Sequence, residues 1–183
     1  MNTTPLTDIH RLTWTALMAA LIGAGAYINL PIGPVPVSLQ TFFVALAGFV
    51  LGPKRGALAV GLYLLAGAVG LPVFAGGKSG LGHLFGPTGG FLIGFVFYAL
   101  IAGLARTGHG GISWARGFVF GILGMALLFL MGVAWLKFSL NLTWARAWVL
   151  GVAPFILWGL IKTSLAVITG RYLVRAGLLP ARA

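Results

Sequence analysis

What most constrains this chain is a succession of six apolar runs, approximately Leu12 to Leu30, Leu39 to Leu51, Ala57 to Val69, Phe91 to Leu104, Phe118 to Leu136 and Trp148 to Leu173. A chain of 183 residues that is 60% hydrophobic and 7% charged lacks the polar surface to cover such runs in water. In lipid, unpaired backbone groups have no water to bond, so spanning elements must be helices or a closed barrel. Long continuous runs, rather than ten-residue alternating ones, select helices. The expectation is an all-α integral membrane protein with six transmembrane helices, a single domain over residues 1–183. A perpendicular span needs ~20 residues. The second and third runs are shorter, and are expected to be tilted, extended into their flanks or locally broken.

Proline and glycine mark the connections: Pro31 to Val37, Gly52 to Gly56, Leu71 to Gly90, Arg106 to Arg116, and a polar stretch from Lys137 to Arg146. With the N-terminus in the cytoplasm, Arg11, Lys54, Arg55, Arg106, Arg116, Arg171, Arg175 and Arg182 lie inside, against Lys78, Lys137 and Arg146 outside. That bias predicts both termini cytoplasmic in a multi-pass protein of the bacterial inner-membrane type. Arg11, a short apolar core and Ala24-Gly25-Ala26 imitate a cleavable signal peptide. The first run is read as a retained helix on the resemblance given below.

The net charge of +11, with Asp8 the only acidic residue, would suggest nucleic acid in a soluble protein. Here the basic residues sit at the ends of apolar runs as topological anchors, which argues against nucleic acid. Zero cysteines exclude disulfides, thiolate metal sites and cysteine nucleophiles. His10, His83 and His109 have no metal-ligand spacing, and no catalytic triad can be assembled without acids. No metal, cofactor or catalytic residue is expected.

The sharpest single residue is Lys162, deep in the last run. A charge there costs ~2.5 to 3.5 kcal/mol on insertion scales, which marks it as a functional-site candidate. The bland alternative is a lysine that snorkels to the interface or meets carbonyls, and snorkelling is hard from that depth. With Asp8 at the other end of the sequence, the missing polar or negative partner is expected to be a ligand.

The second feature is the stretch from Leu71 to Gly90, long for so small a bundle, rich in glycine and carrying Lys78 and His83. Its end, Gly86-Pro87-Thr88-Gly89-Gly90, enters the fourth run with Thr88 as the expected N-cap and free amides that would receive a carbonyl or carboxylate. The competing reading is a glycine-rich re-entrant turn that only satisfies backbone geometry. Gly77-Lys78-Ser79 imitates the end of a phosphate loop, but Pro72 stands where the leading glycine is required. Gly80-Leu81-Gly82 lacks the third glycine of a dinucleotide motif, Phe85 standing there. Tyr63, Phe74, Tyr98, Trp135 and Trp158 are candidates to stack on a ligand, whereas Trp14, Trp114, Trp144 and Trp148 read as interface anchors. Small residues recur four apart: Ala16, Ala20 and Ala24; Gly48, Gly52 and Gly56; Gly86, Gly90 and Gly94; Gly117 and Gly121. Packing inside the bundle is their default role, with contact to a separate subunit a competitor for the alanine row.

An ordered set of motifs runs along the chain: Gly33-Pro34-Val35-Pro36-Val37-Ser38-Leu39-Gln40-Thr41, Leu51-Gly52-Pro53-Lys54-Arg55-Gly56, Leu71-Pro72-Val73-Phe74-Ala75-Gly76-Gly77, the run from Gly86 to Phe95, and Leu160-Ile161-Lys162. Together they resemble the BioY family, biotin-binding S components of energy-coupling-factor (ECF) vitamin transporters. The resemblance implies a six-helix subunit that binds biotin at its outward side, with the first and third loops closing over it. It also implies that Ala16 and Ala20 belong to the row through which such subunits meet a transmembrane coupling subunit driven by cytoplasmic ATPases. Relatives without dedicated coupling subunits exist as well, and a second copy of this chain is a further candidate partner. Many relatives carry Asp three positions before the lysine of the last helix, where this chain has Gly159.

The expected ligand-binding residues are Lys162, Gly86, Thr88, Gly89, Tyr98, Lys78, Phe74, Gln40 and Trp158, with Ala16, Ala20 and Ala24 at a subunit interface. Biotin, with a carboxylate, a ureido group and an apolar body, suits one cation, loop amides and aromatic walls. The rivals are an S component for another small vitamin-like solute, a membrane enzyme using Lys162 as base or Schiff-base nucleophile, and a purely structural assembly subunit.

Overall fold

The computed structural model describes residues 5–107 and 111–177, and within them every apolar run of the sequence carries helix. His109 and Arg182 lie outside the described residues. Helix α1 spans Pro5–Tyr27, and the chain then forms a small antiparallel hairpin of β1, Asn29–Leu30, and β2, Val37–Ser38. Helices α2, Gln40–Leu51, and α3, Pro53–Ala68, are separated by Gly52 alone. Gly52 sits at φ +81°, a conformation open to glycine, and Pro53 is preset for a first helical turn. The glycine-rich loop carries a one-turn helix α4, Leu81–Leu84, and leads into α5, Gly89–Gly103. Helix α6 spans Trp114–Ser139 and α7 Trp144–Gly151; a 3-10 turn, Ala153–Phe155, joins α7 to α8, Ile156–Arg175.

Two expectations about the runs are corrected. The first run does not stay helical to Leu30: Asn29 Nδ2 donates to the Ala26 carbonyl at 2.8 Å, and residues 29–30 pair with 37–38. Pro31, Pro34 and Pro36 bar a helix there, since each lacks an amide donor. The last run, expected continuous from Trp148 to Leu173, is broken, because Trp148 belongs to α7 and Pro154 sits in the 3-10 turn. Within the Leu71 to Gly90 loop, Phe74 and Lys78 bridge and α4 follows.

Helix α6 and the stretch Trp144–Arg175 are long and apolar enough to cross a membrane, while α2 and α5 are shorter apolar helices. Helix α2 can be short because it does not depend on lipid contact: Val44 through Leu51 are all buried, and α1, α3, α5 and α8 pack around it. The outer surface carries large apolar side chains instead, among them Leu130, Leu157, Leu165 and Ile168 on α6 and α8. Such a surface is suited to lipid rather than water. Trp114, Trp144 and Trp148 are exposed, as interface anchors must be.

One end of the bundle is closed by backbone contact. A Cβ on Gly48 would stand 2.4 Å from the Ala99 carbonyl oxygen, and one on Gly103 would stand 2.3 Å from the Pro53 nitrogen. The glycine rows therefore pack helices together, as α2 meets α5 and the α2–α3 turn at near-touching distance. Arginines seal this end: Arg106 donates to the Val50 carbonyl, Arg171 to the Ile112 carbonyl, and Arg116 to the Leu104 carbonyl at 2.8 Å. The Arg171 guanidinium also lies 4.3 Å from the centre of the Trp114 ring. Asp8 bonds Arg11 at 3.4 Å, so it is not positioned as a counter-ion for Lys162.

Candidate ligand-binding site

At the opposite end, where the hairpin and the glycine-rich loop lie, the helices enclose a cavity of about 720 Å³ of atom-free space, including the part continuous with solvent. Its walls follow helical periodicity. Phe91, Phe95 and Tyr98 share one face of α5, and Phe155, Gly159 and Lys162 line it from the 3-10 turn and α8. Met125, Leu128 and Phe129 of α6 complete the apolar wall. Val35, Pro36 and Ser38 come from the hairpin, Gln40 and Thr41 from the start of α2, and Ala75, His83 and Thr88 from the glycine-rich loop and its end.

Lys162 reaches across from α8 to the hairpin, where its Nζ donates to the Ser38 carbonyl at 2.5 Å, so the carbonyl contact weighed as the alternative is present and the lysine already has one partner within the chain. An ammonium has three N–H donors, so further directions remain for a ligand in the cavity. Ser38 Oγ donates to Gln40 Oε1 at 3.0 Å, and Gln40 Nε2 donates to the Tyr63 hydroxyl at 2.6 Å. This chain of bonds links α8, the hairpin, α2 and α3 into one support for the lysine. Beside it, the Thr41 hydroxyl is buried with no partner among the described residues, a polar group on the cavity wall ready for a ligand atom. Tyr98 lines the cavity too, its hydroxyl bonded to Thr163 Oγ1 at 2.7 Å.

The glycine-rich loop closes the other side. Phe74 is fully buried and makes aromatic contacts with Tyr63 and His83, at centroid distances of 5.6 and 5.3 Å. Its ring occupies the place a side chain at Gly67 would need, 2.1 Å from an ideal Cβ. His83 and Thr88 line the cavity and face each other, Nε2 to Oγ1 3.4 Å. Burial, and then the charge of Lys78, hold the His83 imidazole below the ordinary histidine pKa, which favours the neutral ring.

Of the sequence-predicted residues, Lys162, Gln40, Thr88 and Tyr98 come together on the cavity wall, from four different segments. The others do different work. Phe74 is a core anchor for the loop rather than a wall. Gly86 receives the Trp135 indole N–H on its carbonyl at 2.9 Å and donates its own amide to His83, while the Gly89 amide is bonded to the Gly86 carbonyl. Those two amides are therefore engaged in the turn, as in the re-entrant reading, and a Cβ at Gly89 would stand 2.1 Å from the Leu84 carbonyl oxygen. Thr88 holds the N-cap position of α5 but makes no capping bond. Lys78 is exposed, its backbone carbonyl holding the Phe74 amide at 2.9 Å. Trp158 is 45% exposed and, like Tyr63 and Trp135, does not line the cavity.

Ser38, Thr41, Phe91, Phe95, Phe129 and Met125 were not singled out from sequence as ligand contacts, and His83 was noted in its loop without that role. In helices that are apolar all round, no polar stripe distinguishes a cavity face from a lipid face. The i, i+4, i+7 spacing of Phe91, Phe95 and Tyr98 was the available signal. Gly159 is part of the wall, and the space beyond it is taken: an ideal Cβ there would lie 2.6 Å from Met125 Sδ and 3.3 Å from Phe129 Cζ. On α1, Ala16, Ala20 and Ala24 are all exposed, while Thr15, Met18 and Ile22 on the opposite face are buried.

The model of the BioY family matches residues 1–178 of this chain. The "Biotin transporter BioY2" of Lactococcus lactis is 43% identical over 172 residues, 93% of each chain. The "Biotin transporter BioY" of Thermotoga maritima is 41% identical, covering 86% of this chain and 92% of the relative. A solved structure described as the S-component for biotin from an ECF-type ABC transporter superposes with a TM-score of 0.85 at 29% identity, over 95% of both chains.

Proposed function

This chain belongs to the BioY family, and from that premise we propose that it is a membrane-embedded biotin-binding subunit that mediates biotin uptake. The family is one of transporters rather than enzymes. The observation that carries the reading is Lys162, a cation within an apolar helix whose Nζ is tied to a loop carbonyl on the wall of an aromatic-lined cavity. A carboxylate accepts from the remaining ammonium donors, Thr41 and Gln40 offer neutral hydrogen bonds beside it, and Phe91, Phe95 and Phe129 enclose the apolar body. The whole chain acts as one domain of six spans with both termini cytoplasmic, which puts the cavity end outside and the arginine-sealed end inside a bacterial inner membrane.

Purified protein is expected to bind radiolabelled biotin saturably, and Lys162→Ala to weaken that binding strongly. An absence of saturable binding, with the protein shown to be folded, would sink this reading, and would favour the S component for a different small solute.

Uptake needs an energy source. The exposed row Ala16, Ala20 and Ala24 supports docking of an ECF transmembrane coupling subunit, served by cytoplasmic ATPases, since small side chains allow helices to approach closely. Ala16→Trp with Ala20→Trp is expected to abolish co-purification with the coupling subunit and leave biotin binding intact. Retained co-purification removes the row from the interface, and a change in the size of the isolated protein would assign it instead to a contact between copies of this chain.

A further inference from the structure

The cavity has two polar poles. One is built from Lys162, Ser38, Gln40 and Thr41 on α8, the hairpin and α2; the other is His83 with Thr88 on the glycine-rich loop. Aromatic and aliphatic side chains of α5, α6 and the 3-10 turn line the space between. A solute that fills such a site is polar at both ends and apolar in the middle. Its anionic end belongs with the lysine, because a carboxylate is the group most costly to leave unpaired and the amine is the strongest donor on the wall.

We infer that His83 is a ligand-contact residue that holds the uncharged polar end of the bound solute, and does so only while its imidazole is neutral. This rests on the biotin reading, in which the uncharged end is the ureido ring. A cyclic urea presents a carbonyl acceptor beside N–H donors, and a neutral imidazole next to a hydroxyl presents a donor beside an acceptor. The His83–Thr88 pair supplies that set at one spot on the wall. The buried Phe74 ring holds the imidazole in place from behind.

Protonation would spoil the match. Both ring nitrogens would become donors, and the acceptor would be lost. A second cation would also be added to a cavity that already holds one. The titratable groups that face the ring, or share the cavity and its supports, are Lys78 from the loop, Tyr63 from α3, Tyr98 from α5 and Lys162 from α8. None is a carboxylate, and Asp8, the sole acidic side chain, is bonded to Arg11. Burial and Lys78 together keep the ring neutral near pH 7, which is the state that binding requires. The sign follows from linkage: the ligand-bound state takes up a proton less readily than the free one, so affinity is full above the free histidine pKa and falls as pH drops through it, by at most about tenfold per pH unit.

The test is the equilibrium dissociation constant for radiolabelled biotin, measured on the full chain in lipid nanodiscs from pH 8 down to about 5, above the ordinary carboxylic acid range. Wild type is expected to hold its affinity through the ordinary histidine value of about 6.5 and to weaken only below it, because burial and Lys78 hold the His83 pKa down. His83→Gln, which keeps a donor and an acceptor but does not titrate, is expected to bind a few-fold more weakly at pH 8 with a flat profile. His83→Leu is expected to lose about tenfold at pH 8, the value of one hydrogen bond left unmade. Unliganded thermal unfolding of both variants separates loss of fold from loss of contact, and His83→Asn serves as a second non-titrating variant. A flat wild-type profile, or a slope that persists in His83→Gln, overturns the inference and leaves the biotin reading standing. Tighter binding on acidification also overturns it, because the carboxylate would then lie at His83. No biotin binding by wild type at any pH overturns the biotin reading and this inference with it.

Discussion

The two ends of this bundle are built from the same helices and opposite side-chain choices. At the arginine end, α2, α3 and α5 meet through Gly48, Gly56 and Gly103, with backbone atoms where side chains would otherwise stand, and arginines bond the carbonyls that the turns leave free. At the cavity end, α5, α6 and α8 present Phe91, Phe95, Phe129 and Phe155, whose bulk holds the helices apart and leaves a space that protein atoms do not fill. Small residues weld one end; large ones prop the other open. Dense packing tolerates little change in volume, whereas a loop-covered cavity can yield. The difference teaches that a solute entering at the cavity end meets a backbone-tight floor, and that passage past it needs a rearrangement larger than a side-chain flip.

Four substitutions sharpen or break that contrast, from the largest expected effect to the smallest. Gly103→Val puts a branched side chain where an ideal Cβ already lies 2.3 Å from the Pro53 nitrogen. Since backbone cannot give way cheaply, a loss of about 3 kcal/mol or more is expected, read as failure to recover folded protein by size-exclusion chromatography. Normal recovery would mean that the arginine end is looser than described. Lys162→Ala is expected to leave the protein folded and cost about 2 to 3 kcal/mol in biotin binding, a charge-assisted hydrogen bond and its geometry being lost. Unchanged binding would detach the lysine from the site.

Gly159→Asp tests the cavity wall itself. The obstructing atom is the tip of a flexible methionine, so the fold should survive, but the new carboxylate displaces Met125 Sδ into the cavity. Weaker biotin binding by about 1 kcal/mol is expected, with recovery in the double variant Gly159→Asp, Met125→Ala, where room for the carboxylate is made. Equal binding in all three proteins would show that this wall does not touch the ligand. Gly82→Ala, in the one-turn helix over the cavity, meets no atom within 4 Å of its new methyl group. A change within about 0.5 kcal/mol is expected in thermal unfolding, and a large loss there would mean that the cavity end is as tightly built as the other.

Much of this was legible in the residues. The apolar runs marked the helices because backbone in lipid has no other way to pair its polar groups. The depth of Lys162 in its run singled out a residue that lies on the cavity wall, where the partner it meets is the Ser38 carbonyl. Phe74 and Trp158 show where legibility stopped. Both are aromatic residues in or beside candidate site segments, yet one fills the hollow over Gly67 and the other is exposed and does not line the cavity. Gly86 and Gly89 looked like open amides, and turned out to be engaged in their own turn. Thr41 and His83 were not read as ligand contacts, because nothing local distinguishes a hydroxyl with a bond from one without, or a loop histidine that faces inward from one in solvent.

By itself the sequence determined that the chain is helical and apolar, where most of its turns fall, that chemistry built on paired carboxylates is closed to it, and that a buried cation must find a partner. These follow from composition and from interactions between near neighbours in the chain. Only the tertiary structure decided which face of each apolar helix looks into the cavity, that Lys162 is tied to Ser38, 124 positions away, and that Met125 and Phe129 crowd the space beside Gly159. The reason is physical: hydrophobic burial has no direction, so it commits a segment to the interior or the membrane without choosing its neighbours. That choice belongs to packing between elements distant in sequence, where a glycine against a backbone or a phenylalanine against a gap selects one arrangement.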